Sequence, residues 1–272
     1  MKYSVITINF NNCEGLRHTI ESVVSQTYKE FEFIVIDGGS TDGSLDVIKE
    51  CADEISYWVS EPDGGIYNAM NKGVAQAHGE YCIFMNSGDM FYNNTVLERV
   101  VKIGSSEDII VGKVAIDEHD NIISPPPKDE LTLYHLYWGA IPHQGALIRT
   151  QLLRKYPYDE TLKISSDWKF FMQTLILDNC SICYIDEFIA RYDMNGFSAS
   201  HPQLMREEKD QLLKEWFPPR LLADYQKMKQ SECLTQQLTP KLRTNYCIDK
   251  ILYKIGYLLL KLRTKIKHKD CI

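Results

Sequence analysis

The sequence EYCIFMNSGDMF occupies Glu80–Phe91. Its apolar part, Tyr81–Met85, is rich in aromatic and branched side chains and predicts a buried strand. The strand ends at Asn86–Asp89, a polar group that cannot continue into a core. A carboxylate at the carboxyl end of a central strand lies where open α/β sheets bind ligands, so Asp89 can hold a divalent metal and, through it, a phosphate. The same residues also fit an ordinary turn, with Asp89 or Asn94 capping the next helix.

Three more strand patterns precede this segment, at Tyr3–Phe10, Phe31–Ile36 and Ile55–Ser60, and helical spacing separates them. The unbroken apolar run at Phe31–Ile36 is typical of a parallel strand covered on both faces. Strand and helix therefore alternate about three times, which predicts a doubly wound α/β sheet. After residue 92 the pattern loosens, with separate strands predicted at Ser181–Ile185 and Phe188–Tyr192.

Right-handed crossovers bring the carboxyl ends of parallel strands to one edge of a sheet. Thr7 and Asn9 end the first strand, Asp37 follows the second, and Asp89 follows the fourth. We therefore expect these residues to meet in one crevice. The first turn is not G-x-G-x-x-G, so the ordinary dinucleotide fingerprint is absent.

The composition excludes several other classes of protein. At 272 residues, with 44% hydrophobic and 25% charged side chains, the chain is expected to form one large domain or a domain with an appendage. The start of the sequence has no signal-peptide pattern, and eight scattered cysteines indicate a reducing cytoplasm. Residues 241–272 carry nine Lys/Arg and two Asp/Glu, a local charge of +7 that leaves −14 on the remainder. An acidic body argues against nucleic-acid binding.

Six motifs together resemble a family 2 glycosyltransferase with the GT-A type fold. They are SVITINFNN (Ser4–Asn12), IDGGSTDG (Ile36–Gly43), EPDGGIYNAMNKG (Glu61–Gly73), HGEYCIFMNSGDMF (His78–Phe91), PHQ (Pro142–Gln144) and SSDW (Ser165–Trp168). The resemblance implies a mixed sheet with a Rossmann-like nucleotide-sugar half, residues 1–92, and an acceptor half, residues 93–200. A helical extension, 201–240, and a basic amphipathic helix, 241–272, complete the predicted organisation.

The resemblance implies inverting transfer of a sugar from a nucleotide diphosphate donor, with a uridine nucleotide expected, to a hydroxyl of a glycan or lipid-linked acceptor. A divalent cation stabilises a leaving diphosphate, and oxygen ligands suit Mg²⁺ or Mn²⁺. Asp89 matches the last carboxylate of the family's metal motif. Asn86 and Gly88 stand where typical members carry aspartates, which leaves one carboxylate on the metal.

Asp167 matches the family's general base, a carboxylate that takes the proton of the attacking hydroxyl. The alternative for Asp167 is a helix N-terminal cap. His143 matches a histidine near the diphosphate and can ligate metal, bond phosphate or brace its loop. Further donor-site candidates are Thr7, Asn9, Asp37, Gly38, Asp63, Asn71, Lys72, Ser87 and Gly88. Asp37 also fits plain turn chemistry, and Lys72 fits an exposed helix lysine. The segment Asn195–His201 resembles a loop that closes over bound donor.

Processive members of the family carry Gln-x-x-Arg-Trp after the base. Here Gln203 and Arg206 are followed by Glu207, so addition of a single sugar is predicted. The resemblance leaves open a catalytically silent binding subunit of a glycan assembly complex. The support for this alternative is that the metal motif keeps only one carboxylate. A nucleotidyltransferase would need a Gly-rich phosphate loop, which Asn11–Gly15 does not supply. Assembly of identical copies is also left open.

In Ile248–Ile266, apolar residues recur on one helical face, flanked by lysines and arginines. Such a helix can lie in a bilayer interface with its lysines on anionic headgroups. It can equally pack on the acidic body or on a partner subunit. The interfacial interpretation predicts a cytoplasmic protein that sits peripherally on the inner face of the membrane.

Overall fold

The computed structural model describes residues 2–116, 122–123, 131–194 and 196–242. The strands are β1 (Tyr3–Asn9), β2 (Phe31–Asp37), β3 (Tyr57–Ser60), β4 (Tyr81–Phe84), β5 (Met90–Phe91), β6 (Ile109–Ala115), β7 (Ile122–Ile123), β8 (Ala146–Arg149) and β9 (Ile182–Arg191). The helices are α1 (Cys13–Val24), α2 (Ser44–Glu50), α3 (Ile66–Gln76), α4 (Val96–Ile103), α5 (Leu133–Trp138), α6 (Thr150–Lys155), α7 (Ser166–Phe171), α8 (Phe197–Ser200), α9 (Pro202–Trp216) and α10 (Pro219–Leu242).

The described strands form one mixed sheet in the order β3-β2-β1-β4-β8-β6-β9-β5, with β7 paired to β6. The first four strands in this order are parallel, which makes them the predicted doubly wound half. Strand β8 then runs antiparallel to both β4 and β6. The predicted α/β class with a mixed sheet is confirmed.

The two central strands are apolar without interruption because helices cover both faces of the sheet. Val5 and Val35 pack in one core with the apolar faces of α1 and α2. Ile6 and Ile36 point the other way, since successive side chains alternate along a strand, and α3 packs on them. Gly73 permits this approach, because a Cβ there would lie 2.4 Å from Cγ2 of Ile6.

Three local predictions differ from the structure. The two strands expected between Ser181 and Tyr192 are one continuous strand, β9, whose pairing with β6 shifts register at Val111–Val114. Irregular pairing lets one strand pass Asp186 and Glu187, the polar pair that lies between the two predicted strands. The third strand begins at Tyr57, after a 3₁₀ turn at Ala52–Glu54. The sequence predicts a single helix that opens at Ile164–Trp168 and runs to about Leu177, whereas in the structure α7 begins at Ser166 and the helix changes to π geometry at Met172–Leu177.

The chain divides into two compact units, Met1–Glu215 and Trp216–Ile272, and the described part of the second is essentially α10. The basic helix predicted at 248–266 lies outside the described residues, as do residues 119–121, for which the sequence predicts a turn, and residues 124–127, for which it predicts an extended connection. Within the ranges given above, no helix has the length and apolarity needed to cross a membrane.

Candidate active site

The carboxyl ends of the parallel strands open onto a cleft of about 920 Å³. Register places Asn9 beside Asp37 on the neighbouring strand, and the N–H of Ser87 donates to the carbonyl of Ile8. Asp89 lines the cleft from this edge. Asp167, at the start of α7, lines the same cleft from the second half of the sheet. Two acidic side chains far apart in sequence therefore open on one space.

Asp89 is only 3% exposed, and both of its carboxylate oxygens have donors. The backbone N–H of Asp193 donates to Oδ1 at 2.9 Å, and the Gln144 amide donates to Oδ2 at 3.2 Å. Burial raises the pKa of Asp89 to about 6, although the Asp193 N–H, His143 and Gln144 oppose the shift. The nearby hydrogen-bond donors and charges therefore do not offset the cost of burying the Asp89 carboxylate.

The side chain of Thr19, on α1, holds the turn that carries Asp89. The Thr19 hydroxyl donates to the carbonyl oxygen of Asp89 at 2.7 Å and accepts the N–H of Gly88 at 3.0 Å. Gly88 has φ +102°, in the left-handed region, and a Cβ on it would lie 2.5 Å from Oδ2 of Asp193. The turn therefore depends on both a buried hydroxyl and a glycine.

Asp167 has hydrogen bonds on both carboxylate oxygens and a side chain that is 22% exposed. Tyr67 donates its hydroxyl to Oδ1 at 3.2 Å, the N–H of Trp168 donates to Oδ1 at 2.8 Å, and His143 Nδ1 lies 3.0 Å from Oδ2. Burial acts to raise the pKa of Asp167, but the hydrogen bonds from His143 and from the Trp168 N–H outweigh it and lower that pKa. Asp167 is thus held as a carboxylate at neutral pH.

His143 joins the two sides of the cleft. The Asn86 amide nitrogen donates to Nε2 at 3.2 Å, so the ring proton lies on Nδ1 and is donated to Asp167. Burial acts to lower the pKa of His143, yet the bond to Asp167 and the charges of Asp167 and Asp89 raise it. Both ring nitrogens have protein partners. Of the three roles considered for His143, this arrangement favours the brace.

Asp37 is buried at the end of β2 and accepts hydrogen bonds on both oxygens. Its donors are the hydroxyls of Ser40 and Ser60, the amide of Asn9 and the backbone N–H groups of Gly39 and Ser40. Burial acts to raise the pKa of Asp37, and these donors outweigh it and lower the pKa. Asn9 lines the cleft, and its Oδ1 is buried without a hydrogen-bond partner in the described structure.

Four other candidates border the cleft or its turn. Gly38 and Asp63 both line it, and the lack of a side chain on Gly38 makes room for the Asp63 carboxylate. Ser87 also lines it and donates its hydroxyl to the Asn12 carbonyl. Gly88 lies behind it in the turn. In the loop expected to close, Asn195 lies outside the described residues, whereas Gly196 and Phe197 line the cleft.

Three candidates are placed elsewhere. Thr7 is fully buried and donates its hydroxyl to the Met85 carbonyl across the sheet. Asn71 exchanges hydrogen bonds with the backbone of Tyr158. Lys72 is paired with Glu61 at 2.7 Å. Each of these side chains is engaged in holding neighbouring segments together.

Several site residues were missed by sequence reasoning. Tyr67 and Gln144 lie inside recognised motifs, so their neighbourhood was a usable signal. Thr19 reads as an ordinary helix residue, and Asp193 as part of a loop. Nothing local in the sequence marks either one.

In the described part of the chain, the residues around Asp89 offer oxygen ligands for a divalent cation but no cluster of ionisable ligands. Within the residues that the structure describes, no three His, Cys, Asp or Glu side chains are grouped so as to hold a metal ion. The buried Asp89 carboxylate and the unpartnered Oδ1 of Asn86 are nevertheless oxygen ligands at the cleft. They fit a cation that takes its other ligands from a diphosphate and water.

Solved structures with the same architecture identify the fold as GT-A. A fragment of Staphylococcus aureus TarS in complex with UDP-GlcNAc matches at a TM-score of 0.61 with 22% identity, covering 76% of this chain and 64% of that one. A mannosyltransferase of Pyrobaculum calidifontis, in complex with GDP-Man and Mn²⁺, matches at 0.57 with 16% identity, covering 75% and 60%. The chain spans 42% of the longer TarS structure.

The family follows from sequence. The model of glycosyl transferase family 2 matches residues 4–170. An uncharacterized glycosyltransferase of Mycobacterium tuberculosis is 34% identical over 200 residues, which cover 71% of this chain and 75% of the relative. The chain belongs to glycosyl transferase family 2. The sequence-based predictions of family and of a glycosyltransferase are confirmed.

Replacing Thr19 by valine tests the support of the Asp89 turn. Valine keeps the shape but leaves the Gly88 N–H without an acceptor, which we expect to cost about 1–3 kcal/mol of unfolding free energy and to weaken nucleotide binding. Urea denaturation and calorimetry with UDP measure the two effects. Thr174→Val is the matched control, because that buried helical hydroxyl donates to the Phe170 carbonyl within its own helix. Equal losses in both variants would contradict the role of Thr19.

Proposed function

We propose that the protein transfers a single sugar, with inversion, from a uridine diphosphate sugar to a hydroxyl of a glycan or lipid-linked acceptor. The observation that carries the proposal is the shared cleft, with Asp89 at the strand ends and Asp167 at the start of α7. Asp167 is the general base, and Asp89 faces the diphosphate. A direct displacement needs only one carboxylate at the acceptor side, and it inverts the anomeric carbon.

The uridine assignment rests on the part of the cleft beside β1 and β2. The unpartnered Oδ1 of Asn9 is an acceptor suited to the imide N–H of uracil. A cytosine ring offers no N–H at that position. Phe10 is 66% exposed and lines the cleft, so its ring can stack on the base. TarS, solved with UDP-GlcNAc, provides a precedent within the same fold.

We further propose that Asp37 acts indirectly. Both oxygens of Asp37 already accept hydrogen bonds from the protein. Asp37 therefore holds Asn9 and the turn at Gly38 in place, and the nucleoside lies against these two. Ser87, Asp63, Gly196 and Phe197 border the same space, and we expect the Gly196–Phe197 segment to cover bound donor. Exclusion of water by such a segment limits hydrolysis of the donor.

The proposed base has the protonation state and support that it needs. A carboxylate whose pKa lies below its usual value is ionised at neutral pH and can accept the hydroxyl proton. His143 and Tyr67 hold its two oxygens and fix its direction.

A divalent cation is proposed at Asp89. When bound, Mg²⁺ or Mn²⁺ offsets the negative charge that builds on the leaving diphosphate. Asp89 supplies one carboxylate, and Asn86 can supply an amide oxygen. The Pyrobaculum enzyme, solved with GDP-Man and Mn²⁺, is the precedent in a protein of this fold.

Asp167→Asn tests the base. The amide cannot accept the proton, so we expect transfer to fall by roughly 10²–10⁴-fold while UDP affinity changes little. Transfer is assayed with a panel of nucleotide sugars, and UDP binding by calorimetry. Asp159→Asn is the control, since Asp159 is a partly buried, ion-paired carboxylate of the same segment. Equal loss of transfer and of UDP binding would contradict the role, and no turnover of any donor by the wild type would favour a silent binding subunit.

Asp89→Asn tests the metal site. Because burial raises the pKa of Asp89, a neutral amide should leave the apo-protein no less stable, whereas Mn²⁺-dependent UDP binding should be lost. Thermal melting and calorimetry with and without Mn²⁺ give the two readings. Asp46→Asn, an exposed carboxylate on α2, controls for net charge. Unchanged Mn²⁺ dependence in Asp89→Asn would refute the assignment.

Peripheral membrane contact through residues 241–272 is proposed from sequence alone. The local charge of +7 should attract anionic headgroups. We expect the full chain to sediment with anionic vesicles and not with neutral ones, and a chain ending at residue 240 to lose this binding. Equal binding by the shortened chain would reject the proposal.

A further inference from the structure

Helix α9 begins 32 residues after the family match ends at residue 170, yet it contacts the segment that carries Asp167. The Glu208 carboxylate accepts three consecutive backbone N–H groups, from Lys163 at 2.7 Å, Ile164 at 3.1 Å and Ser165 at 3.0 Å. These residues lead directly into α7, whose first turn holds Asp167. Hydrogen bonds to a charged acceptor are about twice as strong as neutral ones.

The next residue on α9, Lys209, contacts Trp168, the residue that follows Asp167. Its ammonium group donates to the carbonyl of Gly139 at 3.1 Å and lies 5.2 Å from the ring centroid of Trp168. Trp168 follows Asp167 and donates its indole N–H to the Leu136 carbonyl at 2.7 Å. Adjacent residues of α9 thus fix the backbone before the proposed base and the side chain after it.

The contacts of Glu208 and Lys209 are not needed merely to attach α9 to the rest of the protein. Leu212 and Leu213 are buried one turn further along α9 and supply apolar contact. Burying a lysine is unfavourable, and burial accordingly lowers the pKa of Lys209 while Asp167 opposes the shift. Apolar packing therefore does not explain why Glu208 and Lys209 are directed at the segment that carries Asp167.

We propose that Glu208 and Lys209 are positioning residues for the transfer reaction, which hold Asp167 in the direction needed to take the acceptor proton. The proposal rests on the role of Asp167 as base. It makes α9 part of the catalytic apparatus, although α9 lies outside the residues that define the family. The groups facing Asp167 are then Tyr67 from α3, Tyr158 from the preceding loop, His143, and Lys209 from α9.

Glu208→Gln is the first test. The side-chain amide of the variant would place its own N–H groups opposite the backbone N–H groups of residues 163–165. This segment should therefore loosen, and the proposed base should lose its alignment. We expect transfer to fall by roughly 10- to 100-fold with UDP affinity within about twofold, because misplacement of a catalytic group acts on the chemical step. Glu207→Gln is the matched control, since Glu207 is exposed and bonds Gln203 on the same helix. It should change neither value.

Lys209→Met is the second test, and it does not depend on Glu208→Gln folding. Loss of a nearby cation raises the pKa of Asp167, so the acidic limb of the pH profile of kcat/KM should move to higher pH. Lys209→Arg keeps the charge and should restore the wild-type limb. Lys214→Met, exposed on α9, should leave the profile unchanged. An unshifted limb in Lys209→Met would overturn the electrostatic part of the proposal.

Amide hydrogen exchange at residues 163–165 reports the backbone contact without reference to activity. Faster exchange in Glu208→Gln together with a selective loss of transfer supports the proposal. Faster exchange with unchanged transfer, or equal losses of transfer and UDP affinity, overturns it and leaves Asp167 as base intact. Failure of the proposed function is seen separately, as wild-type transfer by Asp167→Asn.

Discussion

The hydrogen-bonded link from Asn86 through His143 to Asp167 is the constraint on which the site depends. Asn86 ends the parallel half of the sheet, and Asp167 begins a helix of the other half. With His143 between them, Asp167 is held relative to the turn that carries Asp89. Neither carboxylate is placed by its own element alone, since short helices and turns leave side chains several rotamers.

The pKa values of the two carboxylates shift in opposite directions, and the same link contributes to the shift at Asp167. Asp89 and Asp167 are both shielded from water, but burial dominates at Asp89 and raises its pKa to about 6. At Asp167 burial also acts to raise the pKa, but an imidazole, a backbone N–H and a lysine outweigh it and lower the pKa. Two chemically identical groups in one cleft thereby differ in protonation behaviour, which suits Asp167 to the proposed role of base and Asp89 to the proposed role of cation ligand.

The sequence was sufficient to predict the parallel half because its signals are local. Unbroken apolar runs mark strands covered on both faces, and polar turns mark their ends, so the meeting of Asn9 with Asp37 followed from topology. Thr19 and Glu208 could not be found in this way. Each contacts partners more than 40 positions away through a side chain that fits an ordinary helix pattern. The continuous β9 was missed because its polar pair resembles a turn.

The reduced metal motif also has a geometric cause. Gly88 adopts a backbone conformation that favours glycine, and a side chain there would occupy the position of the Asp193 carboxylate. An aspartate at 88 would therefore require the Asp193 side chain to move. Asn86 is equally specific to this arrangement: its amide can donate to a neutral His143, whereas an aspartate would require the protonated ring. The departures at 86 and 88 thus belong with His143 and Asp193 as one interdependent set of contacts.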